Sequence, residues 1–204
     1  MGETTKKTVV LDWDGTLVYS CRYEELLTAT SDFETVPVYT PDAVVDTDLN
    51  GGRVTTAVIL RPGVVDVINA LSKNYELVIW SYGVFDYVKP AIDQIGIGDR
   101  LKKILTRESS SNRLMLKDLY SRFGNLECTV IIDDMNSTFG ILNPHNTIDI
   151  HPWNPFTSLA FEDNELFKLS EILEDRFQHL KGRNQELISQ RQEIITKLQR
   201  GRYS

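Results

Sequence analysis

Two aspartates stand one residue apart at the end of an apolar run near the start of the sequence. The stretch VVLDWDGTLV, residues 9–18, places Asp12 and Asp14 directly after a run of aliphatic residues. Carboxylates repel each other, and burying one without a partner is costly. A surface turn explains one acidic residue at a strand end, but it does not explain two. The pair therefore indicates a site that gathers carboxylates for a chemical purpose.

Other polar side chains follow, or lie near, the other apolar runs. Ser81-Tyr82-Gly83 follows LVIW, Lys117 follows the short segment at 114–116, and Asp133-Asp134 follows VII. Alone, the serine reads as a helix cap, the lysine as a surface charge and the two aspartates as a cap of the next helix. In a parallel α/β sheet, however, the loops after the strands meet at one edge, where ligands bind. Together these residues predict a site for a divalent cation and a phosphate group.

Phosphoryl transfer to an aspartate is the chemistry that these residue types support. Mg²⁺ prefers oxygen ligands, so Asp12, Asp134 and the backbone carbonyl of Asp14 would bind it, and the cation would offset the repulsion between the carboxylates. One carboxylate can then attack phosphorus, while the aspartate two residues on protonates the leaving group and later takes a proton from water. Ser81 would donate to a phosphate oxygen, and Lys117 would neutralise developing charge.

Short apolar runs alternating with helical periodicity predict an α/β fold that would position these residues. Strands are predicted at residues 9–11, 56–60, 75–80, 103–105, 130–132 and 147–150. Helices are predicted over 84–95, over 116–123, and after Pro62-Gly63, where Val64, Val67, Ile68 and Leu71 share one face. Pro90 is expected to kink the helix over 84–95.

Two segments stand outside this alternation. Residues 22–53 are polar, acidic and rich in turn residues, which predicts a small insertion able to carry a hairpin. Near the C-terminal end, apolar residues recur at heptad spacing, at Leu166, Leu173, Leu180, Leu187 and Ile194. The second apolar row of a coiled coil is broken, and Gly182 weakens the middle. We expect a domain over 1–181 and a solvated helical tail over 182–204, with partner binding by this tail as the alternative.

Composition limits the function classes. The 204 residues are 41% apolar and carry a net charge of −7, which fits a folded acidic domain and disfavours unspecific nucleic-acid binding. No apolar run approaches the roughly 20 residues of a membrane-spanning helix, and the first residues lack a signal-peptide core. Cys21 and Cys128 have no metal-type spacing and are expected to stay reduced. We expect a nuclear or cytoplasmic protein without membrane association.

The candidate residues match the motifs of a known superfamily. LDWDGTLV resembles the Asp-x-Asp-Gly-Thr signature of the haloacid dehalogenase superfamily, and Ser81, Lys117 and Asp133-Asp134 stand where its later motifs belong. The sequence further resembles the small C-terminal-domain phosphatases and the ubiquitin-like-domain phosphatases, which act on the C-terminal repeat of RNA polymerase II. The stretches that carry this resemblance are LRPGV, LTRES, LKDL, VIIDDM, NPHNTIDIHPW and DNELFKL. It implies a three-layer, Rossmann-like parallel sheet flanked by helices.

The resemblance implies catalytic and metal-binding roles for the residues of the first and last motifs. Asp12 would be the nucleophile and a Mg²⁺ ligand. Asp14 would be the general acid and base, with its backbone carbonyl on the metal. Asp134 would be the carboxylate on the metal, with Asp133 beside it. Thr16 would support the loop and hold Asp14 in place.

The resemblance also implies a group of phosphate-binding and substrate-binding residues. Ser81 stands where the family has threonine or serine on the phosphate, with Tyr82 next to it, and Lys117 would be the phosphate-binding lysine. Arg107 matches the arginine of the family's Arg-Glu motif near the site. Gly15, where many of these phosphatases have glutamate, would let backbone N–H groups approach the phosphate.

One part of the sequence departs from the family in a way that bears on the substrate. In the small phosphatases, apolar residues after the first motif form a pocket for a substrate proline, whereas residues 31–45 here read SDFETVPVYTPDAVV. The candidates for such a pocket are Phe33, Val36, Val38 and Tyr39. Trp13 also replaces the leucine that commonly separates the two aspartates.

The leading hypothesis is a Mg²⁺-dependent phosphatase of phosphoserine and phosphothreonine in proteins, with the polymerase repeat as one candidate substrate. A second hypothesis is a hydrolase of small phosphometabolites, although the insertion over 22–53 is too short for the usual large cap domain. A third is a non-catalytic binding subunit similar to the receptor subunit of the mitochondrial translocase. Its aspartates are often degraded, whereas Asp12, Asp14 and Asp133-Asp134 are intact here.

Overall fold

Five parallel strands form the central sheet of the protein. The structure is a computed structural model that describes residues 6–31, 39–49, 51–109, 116–135, 141–157 and 160–200. The strands of this sheet are β1 (Thr8–Leu11), β5 (Glu76–Trp80), β6 (Leu101–Leu105), β7 (Thr129–Asp133) and β8 (Thr147–Asp149). They lie in the order β6-β5-β1-β7-β8, and all neighbours are parallel. The α/β prediction is confirmed.

Helices cover this sheet, which explains why its strands read as nearly continuous apolar runs. The residues of β1 and β7 are all buried. Helix α2 (Val64–Leu71) buries the predicted face of Val64, Val67, Ile68 and Leu71. Helix α3 (Phe85–Ile95) contains Pro90 and buries Tyr87, Val88, Ala91 and Ile92. Glu108 accepts hydrogen bonds from the backbone N–H of Phe85 and so satisfies a donor at the first turn of α3.

The predicted insertion builds a second sheet. Strands β2 (Val18–Arg22), β3 (Ala43–Leu49) and β4 (Gly52–Leu60) pair antiparallel in the order β2-β4-β3, and helix α1 (Tyr23–Ser31) follows β2. The strand predicted at 56–60 is the second half of β4. The hairpin of β3 and β4 is larger than a small surface hairpin. One face of β3 is buried, because alternate residues, Ala43, Val45 and Thr47, point to the same side.

The helix predicted over 116–123 is shorter than expected. Helix α4 spans Leu119–Phe123, and the Asp118 side chain caps it by accepting a hydrogen bond from Ser121 N at 3.3 Å. Residues 116–118 therefore precede the helix, because the capping residue is not itself helical. Most of the loop predicted at 109–113 lies outside the described residues.

The C-terminal helices both pack on the domain. Helix α5 (Leu169–Leu180) buries Leu169, Leu173, Phe177 and Leu180. The expectation of a solvated tail helix is wrong for helix α6 (Asn184–Gln199), because Leu187 joins the main hydrophobic core and Ile194 is also buried. Gly182 adopts a positive φ of 76° between the two helices.

Two simpler findings concern the membrane and the cysteines. Among the described residues, no helix combines the length and the apolar character that crossing a membrane requires. Cys21 and Cys128 both carry free thiols.

Candidate active site

The ends of three central strands bring the predicted residues to one edge of the sheet. Leu11 pairs in register with Ile79 of β5 and Ile132 of β7, so the residues that follow these positions lie side by side. Asp12 follows β1 and donates its backbone N–H to Ile132 O, and Ser81 follows β5. Lys117 reaches the same edge from the segment before α4. The topology thus gathers the strand-end residues as the parallel sheet predicts.

The site has two halves. Lys117 and the carboxylates of Asp12, Asp133 and Asp134 form the charged half, and Lys117 lies at its centre. Its Nζ is fully buried and donates to Asp12 Oδ1 at 2.6 Å and to Asp133 Oδ2 at 2.7 Å. It also lies 5.4 Å from the centroid of the Tyr82 ring. Burial opposes a charge on this lysine, but the two carboxylates outweigh burial and raise the pKa of Lys117 above its usual value. The ammonium therefore stays charged and holds both carboxylates.

The Asp12 carboxyl is the most perturbed acid in this half. Burial raises the pKa of Asp12 to about 7, Lys117 opposes that rise and Asp133 adds to it. A cation bound to this carboxylate would favour its ionised form and lower that pKa again.

Three carboxyl groups form a cluster that could hold a metal ion. Oxygen atoms of Asp12, Asp133 and Asp134 lie within 4.8 Å of one another. Asp133 is fully buried, and its two oxygens accept from Lys117 Nζ and from Met135 N at 2.7 Å. Asp134 is only half-buried. Because Asp133 is already committed to the lysine and to the backbone, Asp12 and Asp134 are the better placed pair for a cation.

Asp14 and the hydroxyl groups around it form the second half of the site, the hydroxyl-held half. Ser20 Oγ and Tyr87 OH donate to Asp14 Oδ1 at 2.5 and 2.8 Å, and Ser81 Oγ lies 3.4 Å from Oδ2. Tyr87 OH in turn accepts a hydrogen bond from the buried Trp13 Nε1 at 3.3 Å. Burial raises the pKa of Asp14 and these hydrogen bonds oppose the rise. The carboxyl is thus oriented by neutral donors.

Sequence reasoning missed Ser20 and Tyr87. Ser20 lies inside β2 of the second sheet, where a serine in a short strand has no distinguishing pattern. Tyr87 lies in the first turn of α3, one turn beyond the loop that carries Ser81. That position was the available signal, because the first turn of a helix after a core strand also reaches the ligand edge of the sheet.

Gly15 makes room for the carboxylate of the last motif. Its φ is +83°, and a Cβ added there would lie 2.5 Å from Asp134 Oδ2. Its N–H donates to Val18 O and its carbonyl accepts from Trp153 N, both at 2.8 Å. The Gly15 N–H is therefore used in the turn, and the missing side chain makes room for the Asp134 carboxylate.

Thr16 contacts the last motif and not Asp14. Thr16 Oγ1 donates to Asp134 Oδ1 at 3.0 Å and accepts from Asp134 N at 3.1 Å. The expectation that Thr16 holds Asp14 is wrong, because the turn at Gly15 places the fully buried threonine beside the end of β7. Ser20 and Tyr87 hold Asp14 in its stead.

Hydrogen bonds within the loop and from Arg107 stabilise the loop that follows β5, residues 81–83. Ser81 Oγ accepts from Gly83 N at 2.8 Å, which closes the loop on itself. The exposed Arg107 donates from Nε to Tyr82 O at 2.9 Å and from its backbone N to Gly83 O at 3.1 Å. Arg107 is therefore near the site and supports the backbone that presents Ser81.

Of the four apolar candidates for a proline pocket, Tyr39 lies among the described residues. Tyr39 OH donates to Pro155 O at 2.8 Å, and its ring packs edge-on against Phe156 in a cluster beside the second sheet. The other three candidates, Phe33, Val36 and Val38, lie outside the described residues.

The whole arrangement lies within a segment that matches one protein family. The sequence profile of the NLI interacting factor-like phosphatases matches residues 7–182. The chain belongs to this family. Every site residue described above falls within the matched segment.

Several proteins with similar sequences carry phosphatase names. The chain is 33% identical over 172 residues to a probable C-terminal domain small phosphatase of Dictyostelium discoideum, covering 83% of this chain and 50% of that protein. It is 28% identical over 170 residues to human carboxy-terminal domain RNA polymerase II polypeptide A small phosphatase 2, covering 82% and 56%. The chain thus spans about half the length of these relatives.

Solved structures agree on the fold. Fcp1, described as an essential RNA polymerase II CTD phosphatase, superposes with a TM-score of 0.62 at 22% identity, covering 89% of this chain and 51% of that one. A haloacid dehalogenase-like hydrolase from Xanthomonas campestris gives a TM-score of 0.51 at 14% identity, covering 86% and 97%. The NLI interacting factor-like domain therefore shares the parallel α/β fold of these solved structures, as predicted.

Proposed function

We propose that the protein is a Mg²⁺-dependent phosphatase of phosphoserine and phosphothreonine in proteins. The observation that carries the proposal is Asp12, held by the buried Lys117 beside further carboxylates at the ligand edge of the sheet. Family membership and the phosphatase names of the relatives support it. Those names make a phosphorylated polymerase repeat the first substrate to test, and they support action in the nucleus or cytoplasm.

The donor set fits a hard divalent cation such as Mg²⁺. The Asp12 and Asp134 carboxylates and the backbone carbonyl of Asp14 are oxygen ligands, which Mg²⁺ prefers. Gly15 keeps side-chain atoms away from Asp134, so that the carboxylate stays accessible. When bound, the ion would polarise the phosphate and relieve the repulsion between the carboxylates.

Asp12 and Asp14 divide the chemical work between them. Asp12 attacks phosphorus, so that a bond from its carboxylate oxygen to phosphorus forms while the bond to the ester oxygen breaks. Asp14 gives its proton to the departing oxygen, and then takes a proton from the water that attacks the aspartyl-phosphate. This second attack releases inorganic phosphate and restores Asp12.

The neighbouring residues fix these two carboxyl groups. Ser20 and Tyr87 fix Asp14 Oδ1, which leaves Oδ2 beside Ser81 as the atom for proton transfer. Lys117 orients Asp12 and adds positive charge where the phosphate gains negative charge. Ser81 and Tyr82 contribute the phosphate-facing loop.

Removal of the nucleophile tests the proposal. The wild type should hydrolyse both a phosphoserine peptide of the polymerase repeat and p-nitrophenyl phosphate with Mg²⁺, and chelation should abolish turnover. Asp12→Asn should lose at least about 1,000-fold in kcat on both substrates. Asp99→Asn, at an exposed aspartate in the short helical turn after the C-terminal end of α3, is the matched control and should retain full activity.

Two outcomes would reject the proposal in different ways. Absence of turnover by a folded wild type on every phosphoester would favour the non-catalytic binding subunit. Turnover of small phosphometabolites without any phosphopeptide activity would favour a small-molecule phosphatase.

A further inference from the structure

Helix α6 lies beyond the segment that the family profile matches, yet it contacts the part of the chain that carries Lys117. The matched segment ends at residue 182, and α6 spans Asn184–Gln199. We propose that α6 sets the position of Lys117, with Arg191 as the positioning residue. The inference rests on the proposed function, because it assigns α6 to the same site.

Arg191 makes a bidentate ion pair with Asp118, the residue next to Lys117. Its Nε donates to Asp118 Oδ1 at 2.7 Å, and its Nη2 donates to Asp118 Oδ2. The two side chains are only 13% and 12% exposed. Such paired hydrogen bonds between a guanidinium and a carboxylate fix orientation as well as distance. Arg191 therefore restrains the backbone directly beside the lysine.

Asn143 holds the same short segment from another side. Its Nδ2 donates to Lys117 O at 2.5 Å, and its Oδ1 accepts from Leu119 N at 3.3 Å. Residues 116–118 belong to neither a helix nor a strand. Side chains that come from distant parts of the chain therefore contribute to the position of Lys117.

Core packing and a hydrogen bond fix helix α6 to the domain, so the helix can restrain the segment that carries Lys117. Leu187 lies in the main core, and Asn184 Oδ1 accepts from Leu126 N at 2.9 Å. The Arg191 guanidinium lies 5.2 Å from the centroid of the Tyr120 ring. The helix thus contacts the segment 118–126 at three points: the cap of α4, its first turn and the chain beyond its end.

Because the contacts of Lys117 with Asp12 and Asp133 are short, they are sensitive to small shifts of the backbone. Its Nζ reaches two different carboxylates at 2.6 and 2.7 Å, and a backbone shift of about 1 Å would break at least one of these contacts. Loss of the Arg191 contact should therefore weaken charge stabilisation in the transition state more than it weakens substrate binding.

Kinetics of four single variants and one double variant test this positioning role. Arg191→Ala should lower kcat on a phosphoserine peptide by roughly 10-fold or more with KM nearly unchanged. Arg191→Lys should fall between this variant and the wild type. Asp118→Asn keeps a capping side chain but loses the charge, and combining it with Arg191→Ala should cost no more than Arg191→Ala alone. Arg200→Ala, an exposed arginine at the end of the same helix, should behave like the wild type.

A readout without turnover separates this inference from the proposed function. Hydrogen exchange of the peptide covering 116–124, measured well below the melting temperature, should be faster in Arg191→Ala and unchanged in Arg200→Ala. If the wild type lacked turnover, faster exchange would still support the positioning role while the proposed function failed. If Arg191→Ala lowered the melting temperature but kept wild-type kcat and exchange at 116–124, the positioning role would be refuted. If that variant did not fold, Arg191→Lys and Asp118→Asn would provide the same comparison.

Discussion

Asp12 and Asp14 stand one residue apart, yet different kinds of group hold them. Asp12 faces the Lys117 ammonium and the other carboxylates, whereas Asp14 faces the hydroxyls of Ser20, Tyr87 and Ser81. An ammonium favours the ionised carboxylate that a nucleophile needs. Neutral hydroxyls orient a carboxyl without supplying a full opposite charge, which suits a group that must both give and take a proton. The contrast teaches that environment can separate the roles of two identical side chains.

Loss of Lys117 should have the largest effect, because it removes the cation from the charged half. Lys117→Met leaves Asp12 and Asp133 facing each other while buried, which should cost about 3–5 kcal/mol of unfolding free energy without metal. The same change should lower kcat by at least about 1,000-fold, equally for a phosphoserine peptide and for p-nitrophenyl phosphate. Urea denaturation with and without Mg²⁺ measures the first effect and steady-state kinetics the second. Lys103→Met, on an exposed position of β6, is the control.

The predicted loss of stability depends on the buried ion pairs of Lys117 with Asp12 and Asp133. A Lys117→Met protein as stable as the wild type in the absence of metal would show that the lysine does not offset the carboxylates.

A methyl group on Gly15 should disturb the point where the two halves meet. Gly15→Ala combines a positive φ, worth about 1–2 kcal/mol, with a Cβ pressed against the Asp134 carboxylate. We expect kcat to fall by roughly 100-fold and a weaker apparent affinity for Mg²⁺ in a metal titration of activity. Gly96→Ala carries a similar φ of +78° but meets nothing within 4 Å, so it isolates the backbone strain. Equal losses in the two variants would mean that the contact with Asp134 is unimportant.

Loss of the Tyr87 hydroxyl should affect only the hydroxyl-held half. Tyr87→Phe removes one donor from Asp14 Oδ1, which should lower kcat on a phosphoserine peptide by roughly 10- to 100-fold. The burst of nitrophenolate release from p-nitrophenyl phosphate, which reports attack by Asp12, should change little, because nitrophenolate leaves without needing a proton. Tyr75→Phe, whose ring stacks on Phe177 away from the site, should change neither rate. A burst rate that falls as far as kcat on the peptide would assign Tyr87 a purely structural role.

Arg107 should give the smallest effect, because it contacts neither carboxylate. Arg107→Ala removes a hydrogen bond to Tyr82 O and should change kcat/KM by about 2- to 5-fold. The change should be alike on both substrates and should appear mainly in KM. Arg100→Ala, at another exposed arginine, is the comparison. A loss above that of Tyr87→Phe would place Arg107 on the substrate itself.

The positions of Asp12, Ser81 and Asp133 were predictable because these residues lie at strand ends. The apolar runs before Asp12, Ser81 and Asp133 mark core strands, and parallel strands must end at a common edge. The motif around Asp12 added the assignment of roles by resemblance. The same reasoning located Lys117 at the site, although it placed the residue inside a helix that begins two residues later.

Two features were not predictable, for a common reason: the contacts of Ser20 and Tyr87 with Asp14, and the contact of Arg191 with Asp118. Ser20 and Tyr87 lie within ordinary elements, and only the packing of the second sheet and α3 around the first motif brings them to Asp14. The contact of Arg191 with Asp118 joins residues far apart in sequence. An apolar row broken by polar residues along α6 could not reveal its packing, because two buried side chains, Leu187 and Ile194, suffice to dock it.

Trapping of the covalent intermediate tests the division of roles most directly. Asp14→Asn should still transfer phosphate from p-nitrophenyl phosphate to Asp12 in the presence of Mg²⁺, because that leaving group needs no acid. It should then hydrolyse the aspartyl-phosphate slowly, because the base is missing. Rapid-quench mass spectrometry should therefore find phosphate on the peptide containing Asp12 in this variant, and none in Asp12→Asn. Turnover without any phosphorylated Asp12, or phosphate on another residue, would contradict the assignment of attack to Asp12 and proton transfer to Asp14.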